Sequence, residues 1–245
     1  MDKLLYVAMT GAKETLRAQA ANSHNLANAS TTGFRADMSA FQSRAVAGSG
    51  YASRVYATNG TTGWDSTVGA QISTGRDLDV AIQGDGFIAV QGRDGREAYT
   101  RAGDLHVDPN GQLLNGSNLP VLGDGGPISV PPNSSLAIAA DGSISIVPLG
   151  QSATTTATIG RIKLVNAPAA QMDRGEDGLF RARDGQDLTA DANVRVASGV
   201  LESSNVNAAE SMVNMIELAR NFELQVKAIR TAEDNSQAAT QLLRV

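Results

Sequence analysis

Residues 205–243 read NVNAAESMVNMIELARNFELQVKAIRTAEDNSQAATQLL, and no Gly or Pro interrupts them. Met212, Met215, Ile216, Ala219, Phe222, Val226, Ile229, Ala232, Ser236, Ala239 and Leu243 recur at helical spacing and stay within one broad stripe. Ser204 or Asn205 is placed to cap the start, and Glu210 lies in the early turns, where a carboxylate suits the helix dipole. At 1.5 Å per residue such a helix is roughly 55 Å long, about three times the length of a mean helix. A helix of that length on a 25.4 kDa chain outruns its own domain and needs neighbours.

The other end of the chain matches it. From Leu4 to about Ala29 a second glycine-poor helix (Gly11 apart) carries Leu5, Met9, Ala12, Leu16, Gln19, Ser23 and Leu26 at three-four spacing. That seam is thin, with Ala, Gln and Ser where an isolated helix would use Leu or Ile. Two arrangements satisfy the pattern: a two-helix hairpin closing one domain, or helices packed against neighbouring chains. Between the two ends lie nearly all of the Gly and all of the Pro.

Ser30-Thr31-Thr32-Gly33 stops the first helix. Phe34 to about Gly75 is rich in Ser, Thr, Ala and Gly with dispersed aromatics (Phe41, Tyr51, Tyr56, Trp64), as in an extended connector or a long hairpin. From Asp77 short strands alternate with turns. Leu78 to Ile82 alternates, Gly84-Asp85-Gly86 turns, and Phe87 to Val90 is a strand of buried type. Asp/Gly turns follow at 93–95, 108–111, 123–126 and 141–142, with closing strands at Gly160 to Val165 and Val194 to Val200. This is a compact all-β pattern without βαβ alternation. The predicted fold is therefore α+β: long N- and C-terminal helices (1–30 and 205–245) packing as a coiled coil, an extended connector or hairpin (31–76), and a central all-β domain (77–204).

Composition excludes several function classes. A net charge of −5 leaves no basic footprint for nucleic acid. With no Cys, disulfides, thiolate metal sites and cysteine nucleophiles are out. The opening Leu4 to Met9 is shorter than a secretory h-region and much shorter than a membrane span, so any export is expected to proceed without a cleaved signal peptide and no integral membrane segment is expected. His24 and His106 have no partners at metal-ligand spacing, and Asp85, Asp108, Asp124 and Asp141 sit in turns where Asp bonds its own backbone. No EF-hand set, dinucleotide loop, phosphate loop or nucleophile elbow is present. The expectation is a protein that is no enzyme and uses no cofactor or metal.

Four motifs then carry a resemblance. Asn25-Leu26-Ala27-Asn28-Ala29-Ser30-Thr31-Thr32-Gly33-Phe34-Arg35 resembles the N-terminal signature of the bacterial flagellar rod and hook proteins. Leu201 to Asn207, with Glu210 to Val213 and Arg220 to Glu223, is similar to that family's C-terminal signature; Asn205, Val206 and Asn207 are its core. Leu78 to Phe87 and Tyr99 to Gly103 resemble its central β motifs. Ser23-His24 and Ile88 depart mildly from the pattern. The opening Met1 to Ala12 is most similar to proximal-rod members, with the distal rod protein as the alternative subtype.

The resemblance implies a structural subunit whose terminal helices form an inner coiled-coil layer around an axial channel, with the β domain outside. Head-to-tail contacts that do not close would then build a helical tube. It implies assembly with itself, with other proximal rod subunits and with the distal rod protein. It also implies passage through the flagellar type III export apparatus, and a place in the basal-body rod that spans the periplasm. The assembly interface would be carried by Leu5, Met9, Ala12, Leu16, Leu26, Met212, Met215, Ile216, Ala219, Phe222, Val226, Ile229 and Leu243. A secreted β-rich adhesin would share the Gly/Asp turns but has no reason for seam-bearing helices at both ends. A peptidoglycan-cleaving enzyme would need a carboxylate pair or metal set that the chain lacks.

Overall fold

The computed structural model describes residues 3–45, 55–151 and 155–242; Leu243 and Tyr51 lie outside the described residues. The chain is α+β and forms two compact units. One comprises Met1–Ala29, Ala36–Gly63 and Val206–Val245, the other Ser30–Arg35 and Trp64–Asn205.

The first unit is built on α1 (Lys3–Ala27) and α2 (Ala208–Leu242). Two contacts fix their direction. Gly11 faces the side chain of Gln225, and Asn22 Nδ2 donates to the Ser211 carbonyl at 2.7 Å, so the helices run antiparallel. Small residues make the meeting face of α1: Ala8, Gly11, Ala12, Thr15 and Ala18 are all buried. Such residues let two backbones approach closely, and Thr15 ties its hydroxyl back to the Gly11 carbonyl at 2.8 Å. The start of α2 lies further along than the sequence pattern indicates. Its cap is Asn207, whose Oδ1 accepts from the amides of Ala209 (3.1 Å) and Glu210 (3.3 Å), and neither Ser204 nor Asn205 fills that role. In the same unit β1 (Asp37–Ala45) and β2 (Val55–Trp64) pair in a two-stranded sheet.

The second unit is β-rich. β3 (Gln71–Ser73) pairs with the strand Val200–Glu202, and β4 (Val80–Gln83) with Arg195–Ser198, both antiparallel. β5 (Phe87–Gln91) and β6 (Glu97–Thr100) sit inside a five-stranded sheet, flanked by Leu164–Val165 on one side and by Phe180–Ala182 and Met172–Arg174 on the other. A three-stranded meander runs through Asn133–Ile138, Ser143–Pro148 and Ala157–Arg161. The unbroken apolar run Phe87 to Val90 has a simple cause. Ile88 and Val90 face one hydrophobic cluster with Leu105, Leu113 and Ile162, while Phe87 and Ala89 face a second with Tyr99, Met172 and Phe180. A strand covered on both faces has no polar side to present. Trp64 closes the second cluster, its ring centroid 4.7 Å from Phe180 and 6.1 Å from Phe87. The turn signals at Asp108 and Asp141 bond their own backbone: Asp141 Oδ1 accepts from Ser143 N (3.0 Å) in an Asx turn, and Asp108 Oδ1 accepts from Gln112 N (2.6 Å), four residues on.

Candidate functional site

The β unit draws the signature motifs to one buried point. Arg35 ends the N-terminal signature, Arg101 belongs to the Tyr99–Gly103 motif, and Glu202 is the second residue of the C-terminal one. All three are buried, with Glu202 wholly enclosed. Arg35 Nη1 lies 2.5 Å from Glu202 Oε1, and Arg101 Nε donates to Glu202 Oε2 at 2.9 Å. The Gly69 amide donates to Oε1 as well, at 3.1 Å. Arg101 is further anchored by the carbonyls of Gly84 (2.7 Å) and Gly86 (3.1 Å), the turn of the fourth motif.

Two guanidinium groups thus share one carboxylate in a dry interior. Burial pulls the Arg35 guanidinium below its ordinary value; Glu202 opposes that shift, and the like charge of Arg101 adds to it. Arg35 Nη1 is close to its carboxylate but off the line of a good hydrogen bond, and its Nε and Nη2 meet no acceptor among the described residues. Arg35 is therefore held more by charge than by hydrogen-bond geometry.

Backbone contacts lock the same junction. The Gly33 amide donates to the Glu202 carbonyl at 2.8 Å, and the Asn205 amide to the Phe34 carbonyl at 3.3 Å, so the two connections of the β unit run side by side. Arg174 stacks on Phe34, its guanidinium carbon 4.8 Å from the ring centroid, and donates to the Arg35 carbonyl. Asn205 Nδ2 reaches the carbonyls of Asp65 and Thr67, each at 3.1 Å.

The remaining motif residues act in the helical unit. Asn25 brackets the start of β1: its Oδ1 accepts from the Asp37 amide (2.7 Å) and its Nδ2 donates to the Asp37 carbonyl (2.9 Å). His24 Nδ1 lies 2.8 Å from Asp37 Oδ2, so this histidine is a joint in the fold. Asn28 Nδ2 donates to the His24 carbonyl at 2.9 Å, Leu26 is half-buried, and Ala27 is the last residue of α1. The motif asparagines are thus used as local clamps.

The expected seam residues divide. Ala12 is buried against α2, while Leu5, Leu26, Met215, Phe222, Val226 and Ile229 are half-buried. Met9, Leu16, Met212 and Ile216 are about half exposed or more, at 53%, 49%, 55% and 56%, and Ala219 is exposed with them. Within one chain, then, the buried face of α1 is made of small residues with Glu14 among them, and Met9 and Leu16 turn outward. Arg35, Arg101 and Glu202 were not legible as a site, because each motif alone shows one charge and gives no sign of the other two. Among the described residues no helix is long and apolar enough to cross a membrane, and no three His, Asp or Glu side chains are grouped to hold a metal.

Known proteins match the chain along its whole length. Three family profiles fit: flagella basal body rod protein over residues 5–35, flagellar hook protein FlgE/F/G D1 domain over 81–146, and flagellar basal body rod FlgEFG protein C-terminal over 197–242. The chain is 48% identical to the flagellar basal-body rod protein FlgF of Escherichia coli K12 and 47% identical to that of Salmonella typhimurium LT2, covering 99% of each chain in both cases. It is 33% identical to the flagellar basal-body rod protein FlgG of Buchnera aphidicola from Schizaphis graminum, over 97% of this chain and 98% of that one. The chain belongs to the flagellar basal-body rod protein family and within it is most like FlgF.

Proposed function

We propose that this protein is a structural subunit of the proximal flagellar rod that assembles through its terminal helices with copies of itself, other rod subunits and the distal rod protein. Full-length similarity to FlgF proteins supports the proximal subtype over the more distant FlgG. The observation that carries the assembly reading is the outward placement of Met9, Leu16, Met212 and Ile216. These apolar residues, at helical spacing, leave about half of their surface uncovered by their own chain, as they would if neighbouring helices cover it. In α2 every described residue from Glu233 to Gln241 is exposed, so this stretch gains nothing from its own chain and orders best beside others.

In this reading residues 1–30 and 205–245 pack as a coiled coil around the axial channel, and 77–204 form the outer wall. The 31–76 segment works as a long hairpin connector, which the pairing of β1 with β2 supports. The subunit reaches the periplasm through the flagellar export apparatus and sits in the rod that crosses it. Electron microscopy of basal bodies from a strain deleted for this gene tests the assignment. Rods missing or arrested before the outer membrane, with no hook, are the expected result. Complete basal bodies on motile cells would overturn it.

A further inference from the structure

We propose that Ser30–Arg35 is a strap on the β unit and Glu202 its latch, so that the unit closes only when the C-terminal connection of the chain docks. The topology sets the order. β3 and β4 find their ladder partners in Val200–Glu202 and Arg195–Ser198, the last strands of the chain. Gln71 is registered directly opposite Glu202. The early strands of the unit are thus left without those partners until its final residues arrive. The interior sheet of β5 and β6 carries its own antiparallel register, from Ile88 opposite Thr100 to Gln91 opposite Glu97, and does not wait for them.

Glu202 is the residue on which closure converges. Its carbonyl takes the Gly33 amide of the strap, and one carboxylate serves Arg35, Arg101 and the Gly69 amide. The two arginines are not equivalent. Arg101 is fixed by the carbonyls of Gly84 and Gly86 whether or not the strap is present. Arg35 rides on the strap, and its guanidinium is poorly hydrogen-bonded. Without the carboxylate, two like charges face each other in a dry site with only the weaker pull of Asp65 on Arg35 to offset them, and Arg35 is the one whose guanidinium no carbonyl among the described residues anchors. Without Arg35, Arg101 and Glu202 remain a balanced pair. Removing the carboxylate should therefore release the strap, whereas removing Arg35 should leave its backbone bonds in place.

The test compares Glu202→Gln with Arg35→Met in the full chain, reading amide exchange at Gly33 and at Ala89 and Gln91 of β5. Limited trypsin cleavage after Arg35, located by fragment mass, gives a second readout of the Gln variant. In Glu202→Gln, Gly33 exchange and cleavage after Arg35 should each rise by at least about tenfold while the β5 amides stay protected. In Arg35→Met, Gly33 exchange should change by less than about threefold. Unchanged Gly33 protection in Glu202→Gln, or equal release in both variants, overturns the latch. If Glu202→Gln loses β5 protection as well, pulse-labelled refolding of the unaltered chain decides. Protection at Gly33 and Ser203 after Ala89 and Gln91 supports late closure, and protection at all four in one phase overturns it.

Discussion

Gly33 presses its α-carbon against the backbone of Arg101: a Cβ added there would stand 2.3 Å from the Arg101 carbonyl carbon. Its φ of +66° is a second constraint, since an L side chain in that region carries roughly 1–2 kcal/mol of strain. The neighbour is main chain and cannot swing aside. Gly33→Ala should therefore displace the strap and cost several times the strain alone, on the order of 3 kcal/mol or more. Gly75 is the control, because its φ of +71° is similar but nothing lies within 4 Å of its added Cβ. Urea unfolding should show a loss of about 1 kcal/mol for Gly75→Ala, and equal losses at the two sites would refute the close packing.

Asn207 caps α2, accepting two amides of the first turn. Asn207→Ala should cost about 1 kcal/mol, seen as a lower thermal midpoint for the helical signal. Asn205→Ala acts elsewhere, removing donors to the Asp65 and Thr67 carbonyls in the β unit. Its effect should fall on exchange at residues 65–69 and not on the first turn of α2. Indistinguishable exchange patterns in the two variants would count against this division of labour.

The displaced cap shows where sequence reading stops. The α2 stripe, the Phe87–Val90 strand and the Asp/Gly turns were legible because periodicity and turn chemistry are local. Which of three neighbouring polar residues caps a helix depends on what the others are bonded to, and Asn205 is drawn to residues far away in sequence. The seam shows the same limit. Spacing placed Leu5, Met9, Ala12 and Leu16 on one stripe, but close approach of α2 selected the narrower face of Ala8, Gly11, Ala12, Thr15 and Ala18. The Arg35–Glu202 pair joins opposite ends of the chain, and no window of sequence contains both.

Acid should act on this protein in two opposed ways. Asp108 and Asp141 are held below the usual carboxylate range by the amides of Gln112 and Ser143, and Asp173 and Asp177 by the guanidinium groups of Arg183 and Arg181. Carboxyls with lowered values favour the fold above their unfolded pKa, about 3.9, and lose that contribution as pH falls through their folded values. Asp104 is the reverse case. Burial raises its pKa and the facing carboxylate of Asp79 adds to this, against its own backbone amide, that of Gly116, and His106. Its contribution is present below the unfolded value and lost as pH rises through the folded one. Asp104→Asn should therefore raise the thermal midpoint at pH 7 and give no gain near pH 3, where the native carboxyl is already neutral. A gain of equal size at both values would show that charge is not the cause.

Ile216 offers the cleanest separation of folding from assembly. Its side chain is 56% exposed in the single chain, and Glu is a good helix former. Ile216→Glu should therefore change the stability of the isolated protein by no more than about 0.5 kcal/mol. Between packed helices the same carboxylate would be buried without a partner, at a cost of several kcal/mol in every copy. Phe222 and Ile229 are half-buried within the chain, so Asp at either position would weaken the monomer as well and could not separate the two effects. The expected result is a variant that unfolds like the native chain by circular dichroism but supports neither rods nor motility. Motile cells with normal basal bodies would place this face of α2 outside the assembly, leaving the stripe through Val226 and Ile229 to carry the contact.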